Sequence, residues 1–227
     1  MKKIAVIIYG PPGSGKGTQS ELLANTYKLI HFDTGQRIRD VIYDPVNRND
    51  ETITRQREQF YEKGLLCEDW WVFKIVCEGI KDLTKVSGIV LSGSPRTVYE
   101  AFDEGDRRAE ISILTDAYGK ENVHTFLLKV SAEAATFRNG KRKFCPICTR
   151  GYLFQGDADL KNCPVCLSPL TVRTDDNPDL MKDRLREFET RTAPIIAGLR
   201  DRGYPVHEVN GEQPPYLVFR EISKWLS

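Results

Sequence analysis

Ile4 to Tyr9 is a near-continuous apolar run, the pattern of a strand buried on both faces of a parallel sheet. Similar runs recur at Gly88 to Leu91, Val123 to Val130 and Tyr204 to Val209, and a short one lies at Leu29 to Phe32. Between them apolar residues fall at helical spacing over Thr18–Tyr27, Asp69–Leu83, Asp179–Leu199 and Tyr216–Leu226. Strands alternating with helices predict a doubly wound α/β fold, a parallel sheet flanked by helices. Residues 34 to 66 break the rhythm, being helical in flavour, polar and without a strand. Residues 141 to 176 break it again, with Gly, Pro, Asp and Asn around two cysteine pairs. Both read as insertions at strand ends, where open α/β sheets bind ligands.

Composition narrows the class. The chain has 227 residues, 33 Lys and Arg against 32 Asp and Glu, a net charge of +1 and 40% hydrophobic residues. That suits one substantial domain with insertions, and supplies no whole-molecule field to attract nucleic acid or an anionic membrane. Ile4 to Tyr9 is too short to span a bilayer or to act as a signal segment, so the expected localisation is cytoplasmic.

The first strand run leads into Gly10-Pro11-Pro12-Gly13-Ser14-Gly15-Lys16-Gly17-Thr18 and then a helix, the context of a phosphate-binding loop. Small residues let the backbone N–H groups of Gly13, Ser14, Gly15, Lys16, Gly17 and Thr18 converge on phosphate oxygens. The helix N-terminus adds its partial positive charge, and Lys16 reaches the outer phosphates. Gly17 stands where the strict pattern has Ser or Thr, and Thr18 follows as a hydroxyl for Mg²⁺. A nucleoside triphosphate is the expected ligand.

Cys145/Cys148 and Cys163/Cys166 form two C-x-x-C pairs with fourteen residues between them, close to zinc-ribbon spacing. Four protein ligands leave no open position, so the expected metal is a structural Zn²⁺. Two disulfides or reduced thiols are the alternatives. A ribbon with a basic edge at Lys141, Arg142 and Lys143 could bind nucleic acid, but interleaved aromatics are few (Phe144, Tyr152, Phe154). Asp157, Asp159, Asp175 and Asp176 also follow, so neither nucleic acid nor membrane is expected as a partner. Cys67 and Cys77 read as small buried hydrophobes.

Gly-Pro-Pro-Gly-Ser-Gly-Lys-Gly-Thr-Gln, from Gly10, resembles the opening of the adenylate kinases, a family of nucleoside monophosphate kinases. Asp33 to Arg39 is similar to the family's Ser-Thr-Gly-Asp-x-x-Arg segment, and Leu91 to Thr97 to its Leu-Asp-Gly-Phe-Pro-Arg-Thr. Arg138 and Arg142 match the arginines leading into its lid. Arg173 to Asn177, Arg184 and Thr192-Ala193-Pro194 match its closing segment. The resemblance spans essentially residues 1–227 and implies a five-stranded phosphate-loop core. It also implies a helical monophosphate-binding insertion over 33–66 and a zinc-ribbon lid over 141–176. The implied reaction is transfer of the ATP γ-phosphoryl to AMP with Mg²⁺, by a monomer.

The resemblance also distributes roles. Lys16, Arg96, Arg142, Arg173 and Arg184 would be catalytic. Arg138, Arg142, Gly151, Tyr152 and Gln213 would join the loop around ATP. Thr34, Arg39, Gly64, Leu65, Leu66, Gly93, Arg96, Glu100, Arg173 and Arg184 would surround AMP. The acceptor is already an anion, so catalysis is positioning plus charge neutralisation, the work of arginines.

Four positions depart from the family pattern. Ser92 and Gln36 stand where it has acidic residues near Mg²⁺, Ser94 stands for its Phe, and Glu100 for its Gln. Losing two carboxylates raises a second expectation, a nucleotide sensor with little activity. An ionised Glu100 only accepts hydrogen bonds and suits guanine N1–H and N2 better than adenine N1, so relaxed discrimination or competition by GMP is a further expectation.

Overall fold

The computed structural model describes residues 3–59, 63, 65–85, 87–153, 160–172 and 178–226, the side chains of 178 and 179 excepted. The apolar run becomes β1 (Ala5–Tyr9), buried at every position. It is followed by α1 (Lys16–Tyr27), β2 (Ile30–Asp33), α2 (Thr34–Tyr43), a 3-10 turn at Pro45–Asn47, α3 (Glu51–Arg57) and α4 (Asp69–Leu83). Then come β3 (Ile89–Ser92), α5 (Val98–Ala101), α6 (Glu110–Tyr118), β4 (Val123–Lys129) and α7 (Ala132–Lys141). The hairpin strands β5 (Arg142–Phe144) and β6 (Gly151–Leu153) precede α8 (Pro178–Glu187), α9 (Ala193–Asp201), β7 (Val206–Asn210) and α10 (Pro215–Ser223).

Five strands form one parallel sheet in the order β2-β3-β1-β4-β7. The chain winds to one side of β1 for β2 and β3 and to the other for β4 and β7. The crevice where the direction reverses therefore opens at the end of β1, and the glycine-rich loop lies there. Alternate residues of β1 feed two cores. Ala5, Ile7 and Tyr9 pack with α4, α6 and α9 through Val76, Ile80, Leu114 and Ile195. Val6 and Ile8 pack with α1 and α10 through Leu23, Val218 and Ile222.

The helix expected over 179–199 is broken. Phe188–Thr192 is a π-helical turn between α8 and α9. Pro194 has no N–H to donate into the preceding turn, which favours this widening. Helices α5, α6 and α7 lie in stretches where the sequence pattern predicts no element. Between residues 34 and 57 the first insertion is α2, the 3-10 turn and α3, with Asp33 and Asp50 as N-caps accepting from the Gln36 and Ile53 amides. Among the described residues, no helix is long and apolar enough to cross a membrane.

Candidate active site

The loop after β1 is shaped by its glycines. A Cβ on Gly10 would lie 2.5 Å from Ser14 Oγ, and one on Gly13 2.5 Å from the Ala135 carbonyl of α7. The loop is thus wedged between its own turn and α7. Gly15 adopts φ +94° as the N-cap of α1, which has no side-chain cap and no acidic residue in its first turn. A Cβ at Gly15 or Gly17 would meet nothing within 4 Å. The first turn of α1 therefore has room beside its backbone and a positive dipole end with no acidic neighbour in that turn, which favours an anion there. Thr18 is exposed on that turn.

Lys16 folds back over the loop, its Nζ donating to the Gly10 carbonyl at 2.6 Å and the Pro11 carbonyl at 2.9 Å. Its pKa is pushed down to about 7, first by burial and then by the positive charges of Arg96, Arg184 and Arg142, with Asp33 pulling the other way. Three arginines from three other parts of the chain thus act on the Lys16 ammonium.

Arg96 is held at its backbone and at its side-chain Nε. Its Nε donates to the Gly93 carbonyl at 2.6 Å, its N–H to Glu100 Oε2 at 2.7 Å, and its carbonyl accepts from Thr192 Oγ1 at 2.9 Å. Gly93 adopts φ +90°, and a Cβ there would lie 2.8 Å from Arg96 Nη2. The π-helical turn carrying Thr192 is tied to α4 by the Arg191–Asp69 ion pair. Glu100 is 2% exposed, and burial raises its pKa to about 7.

Ser94 faces a second buried acid, its Oγ lying 2.8 and 2.7 Å from the two oxygens of fully buried Glu110. Burial first, then the nearby Glu100, raises the Glu110 pKa well above the usual range. The folded protein holds this proton to higher pH than the unfolded chain, which releases it from about pH 4.5 upward. Stability therefore falls as pH rises, by about 1.4 kcal/mol per unit. Glu110→Gln, neutral at every pH, should lose this dependence and gain stability relative to the unaltered protein as pH rises above about 4.5 in urea titrations. Equal pH slopes for the two proteins would overturn this.

The remaining expected residues fall into three groups. On α2, Thr34 is fully buried with its hydroxyl unpartnered among the described residues, and Arg39 Nη2 donates to Gln36 Oε1 at 2.9 Å. Leu65 and Leu66 are half-buried in the segment leading to Cys67, on which both Arg96 and Glu100 act electrostatically. Arg138 reaches the loop after β7, donating to the Gly211 carbonyl at 2.7 Å and the Glu212 carbonyl at 3.1 Å, and Gly211 abuts Ser14. Gln213 in that loop donates its side-chain amide to the Asn210 carbonyl and Glu221. Gly151 pairs with Phe144 across the β5–β6 hairpin, and the Tyr152 hydroxyl lies 3.2 Å from Cys163 Sγ. Gly64 and Arg173, with Thr174 to Asn177, lie outside the described residues, as do Phe154, Asp157 and Asp159.

The four cysteine sulfurs lie within 4.8 Å of one another. Cys145 and Cys166 are 3.4 Å apart, and Cys148 and Cys163 3.6 Å. These spacings approach the ~3.8 Å edge of a tetrahedron with ~2.3 Å Zn–S bonds and far exceed a ~2.05 Å disulfide. Each pair sits in the same turn. Cys145 N–H donates to the Arg150 carbonyl and Cys163 N–H to that of Ser168, while Thr149 and Leu167 donate back to the cysteine carbonyls at φ +58° and +61°. The donor set is compatible with a closed zinc site.

Sequence reasoning pointed to Asp33 as a carboxylate that could compensate for the acids lost at 36 and 92, but missed the role of Thr192, which holds Arg96. Thr192 lies in a matched motif, but only the fold shows its hydroxyl on the Arg96 carbonyl.

The profile of the family described as adenylate kinase matches residues 8–204. The chain is similar to the adenylate kinase of Chlamydia pneumoniae, 34% identical over 219 residues that cover 96% of this chain and 95% of that one. It is 33% identical to that of Chlamydia caviae, covering 98% and 97%, and 30% identical to that of Pelobacter propionicus, covering 97% and 96%.

Proposed function

The chain belongs to the adenylate kinase family and is a phosphotransferase, and we propose that it passes the γ-phosphoryl of ATP reversibly to AMP, giving two ADP. The observation that carries this reading is the convergence of Lys16, Arg96, Arg142 and Arg184 over an uncapped, open phosphate loop. A triphosphate on the loop and a monophosphate held by Arg39 and Arg96 would meet among these charges. The attacking oxygen of AMP is already anionic, so no base is needed. The arginines neutralise the charge that spreads over the transferring phosphoryl. By the family resemblance, Arg173 would join them. Arg138, Gly151, Tyr152 and Gln213 would flank the ATP base, and Thr34, Gly64, Leu65, Leu66, Gly93 and Glu100 the acceptor.

The family works on Mg²⁺-nucleotide, and Mg²⁺ supplies charge neutralisation on the phosphates when bound. Residues 33–66 would close over the monophosphate and 141–176 over the triphosphate, excluding water as a competing acceptor. Zn²⁺ on Cys145, Cys148, Cys163 and Cys166 would pin the second of these. The retained cations and the similarity to adenylate kinases speak against a nucleotide sensor.

Glu100 bears on the choice of acceptor base. Buried to 2% exposure and with its pKa raised to about 7, it is half neutral near pH 7 and largely a neutral acid below it. A neutral carboxyl offers one donor and one acceptor, as a glutamine amide does, and that pair matches adenine N1 and N6. The sequence-based case for guanine assumed an ionised, accepting-only side chain, which burial disfavours.

A coupled ADP-formation assay with AMP, GMP, CMP and UMP tests the reading, and AMP is expected to be the preferred acceptor. The AMP-to-GMP ratio of kcat/KM should fall roughly thirtyfold from pH 6 to 8.5 as Glu100 ionises, since both acceptors carry the same phosphate. Glu100→Gln should abolish that fall. Turnover at background with all four acceptors would overturn the kinase reading, and a pH-independent ratio the role of Glu100.

A further inference from the structure

Strand register decides which side chains share a face with the phosphate loop. In β2 and β3, His31 pairs with Val90 and Asp33 with Ser92; in β3 and β1, Val90 pairs with Val6 and Ser92 with Ile8. Paired residues project to the same side, and alternate residues along a strand do too. Val6, Ile8 and Val90 pack with Leu23 of α1. His31, Asp33 and Ser92 therefore lie on the α1 side of the sheet, and Asp33 and Ser92 lie at its carboxyl edge. Lys16 opens α1 at that edge.

Three positions there could serve a cation, and two are otherwise engaged. Ser92 Oγ, 6% exposed, lies 2.7 Å from His31 Nε2. Gln36 gives its amide hydrogens to Asp40 at 2.7 Å and its oxygen to Arg39 at 2.9 Å, so it serves its own helix. Asp33 is different. Its Oδ1 caps α2 by accepting from the Gln36 N–H at 3.0 Å, and among the described residues its Oδ2 has no recorded partner. It also acts electrostatically on the Lys16 ammonium, opposing the three arginines. Phosphate-loop enzymes hold Mg²⁺ between the loop hydroxyl and a carboxylate at a neighbouring strand end.

We propose that Asp33 is the carboxylate that holds the hydrated magnesium ion of the bound triphosphate, in place of acidic side chains at 36 and 92. The inference rests on the reading that a triphosphate occupies the loop from Gly10 to Thr18. Asp33 lies one strand over from β3, so a carboxylate at residue 92 would serve the same ion from the adjacent strand.

The test is Mn²⁺ binding, followed by electron paramagnetic resonance, to the protein saturated with a non-hydrolysable ATP analogue. Asp33→Asn keeps a good N-cap, so α2 should still form, and a thermal melt checks this. Asp33→Asn should weaken Mn²⁺ in the ternary complex tenfold or more. Its affinity for the analogue in excess chelator should be unchanged or tighter. Asp33→Asn with Ser92→Asp should recover most of the Mn²⁺ affinity. Mn²⁺ binding by Asp33→Asn within twofold of the unaltered protein, while both bind the analogue, would overturn this inference alone. An unaltered protein that fails to bind the analogue would overturn the phosphate-loop reading and this inference with it.

Discussion

Lys16→Met should lower kcat for phosphoryl transfer from ATP to AMP by about three orders of magnitude, with the fold intact. The side chain stem is replaced at near-equal volume and the ammonium alone is lost. That ammonium is held by the Gly10 and Pro11 carbonyls, within reach of the positive charges of Arg96, Arg142 and Arg184. Its position is set before substrate arrives, so it can meet phosphate charge without reorganisation. Removing one preorganised donor of this kind from developing charge costs about 3–4 kcal/mol, or 10²–10³ in rate. A loss below tenfold, in a variant with an unshifted melting temperature, would overturn the assignment of Lys16.

The same lysine should make nucleotide binding pH-dependent. With its free-protein pKa near 7, it is partly neutral above that pH. Polyphosphate restores the charge and raises the pKa, so binding takes up a proton and ATP affinity falls as pH rises above 7, by up to tenfold per unit. Lys16→Met should bind more weakly at pH 7 and lose this slope.

The core was legible because burial on both faces leaves an unmistakable signal. Ile4 to Tyr9 and Val123 to Val130 became β1 and β4 within a residue or two. Helix α6 carries buried Ile111, Leu114 and Tyr118 at helical spacing and was within reach of the same method. Helix α7 was not, since its buried positions are Ala135 and Asn139, too small and too polar to stand out. The candidate site was legible as a set of charged residues in order along the chain. What sequence could not give is burial, and burial decides the chemistry of the acids. Glu100 reads as an anion in sequence, and its surroundings raise it to a group that is half neutral near pH 7. Ser94 reads as an unexplained loss of an aromatic, yet its hydroxyl meets Glu110, a polar partner sixteen residues away. Asp33 stands out in sequence as an acid just before Thr34, and strand register sets it beside Ser92.

Removing metal from the cysteine cluster should unfold the β5–β6 ribbon while leaving the parallel sheet folded, and should cut activity at least a hundredfold. The ribbon has little apolar surface to bury. Ile147 is 72% exposed, Val165 58% and Leu167 74%, while Cys145 and Cys163 are fully buried. A segment whose hydrophobes face water and whose thiols face inward cannot be stable through burial. Tetrahedral zinc binding, which contributes about 10–16 kcal/mol in small zinc-finger peptides, can hold it. Arg142 begins β5, so loss of the ribbon withdraws one of the cations acting on Lys16. Freshly purified protein should carry close to one zinc per chain, and Cys163→Ser less than half. Calorimetry with a strong chelator should show the ribbon's contribution lost and the main transition retained. Titration of the denatured, chelated protein without reductant should find six thiols. Two or four thiols with no metal would identify disulfides instead, and full activity in metal-free protein would separate the cluster from the reaction.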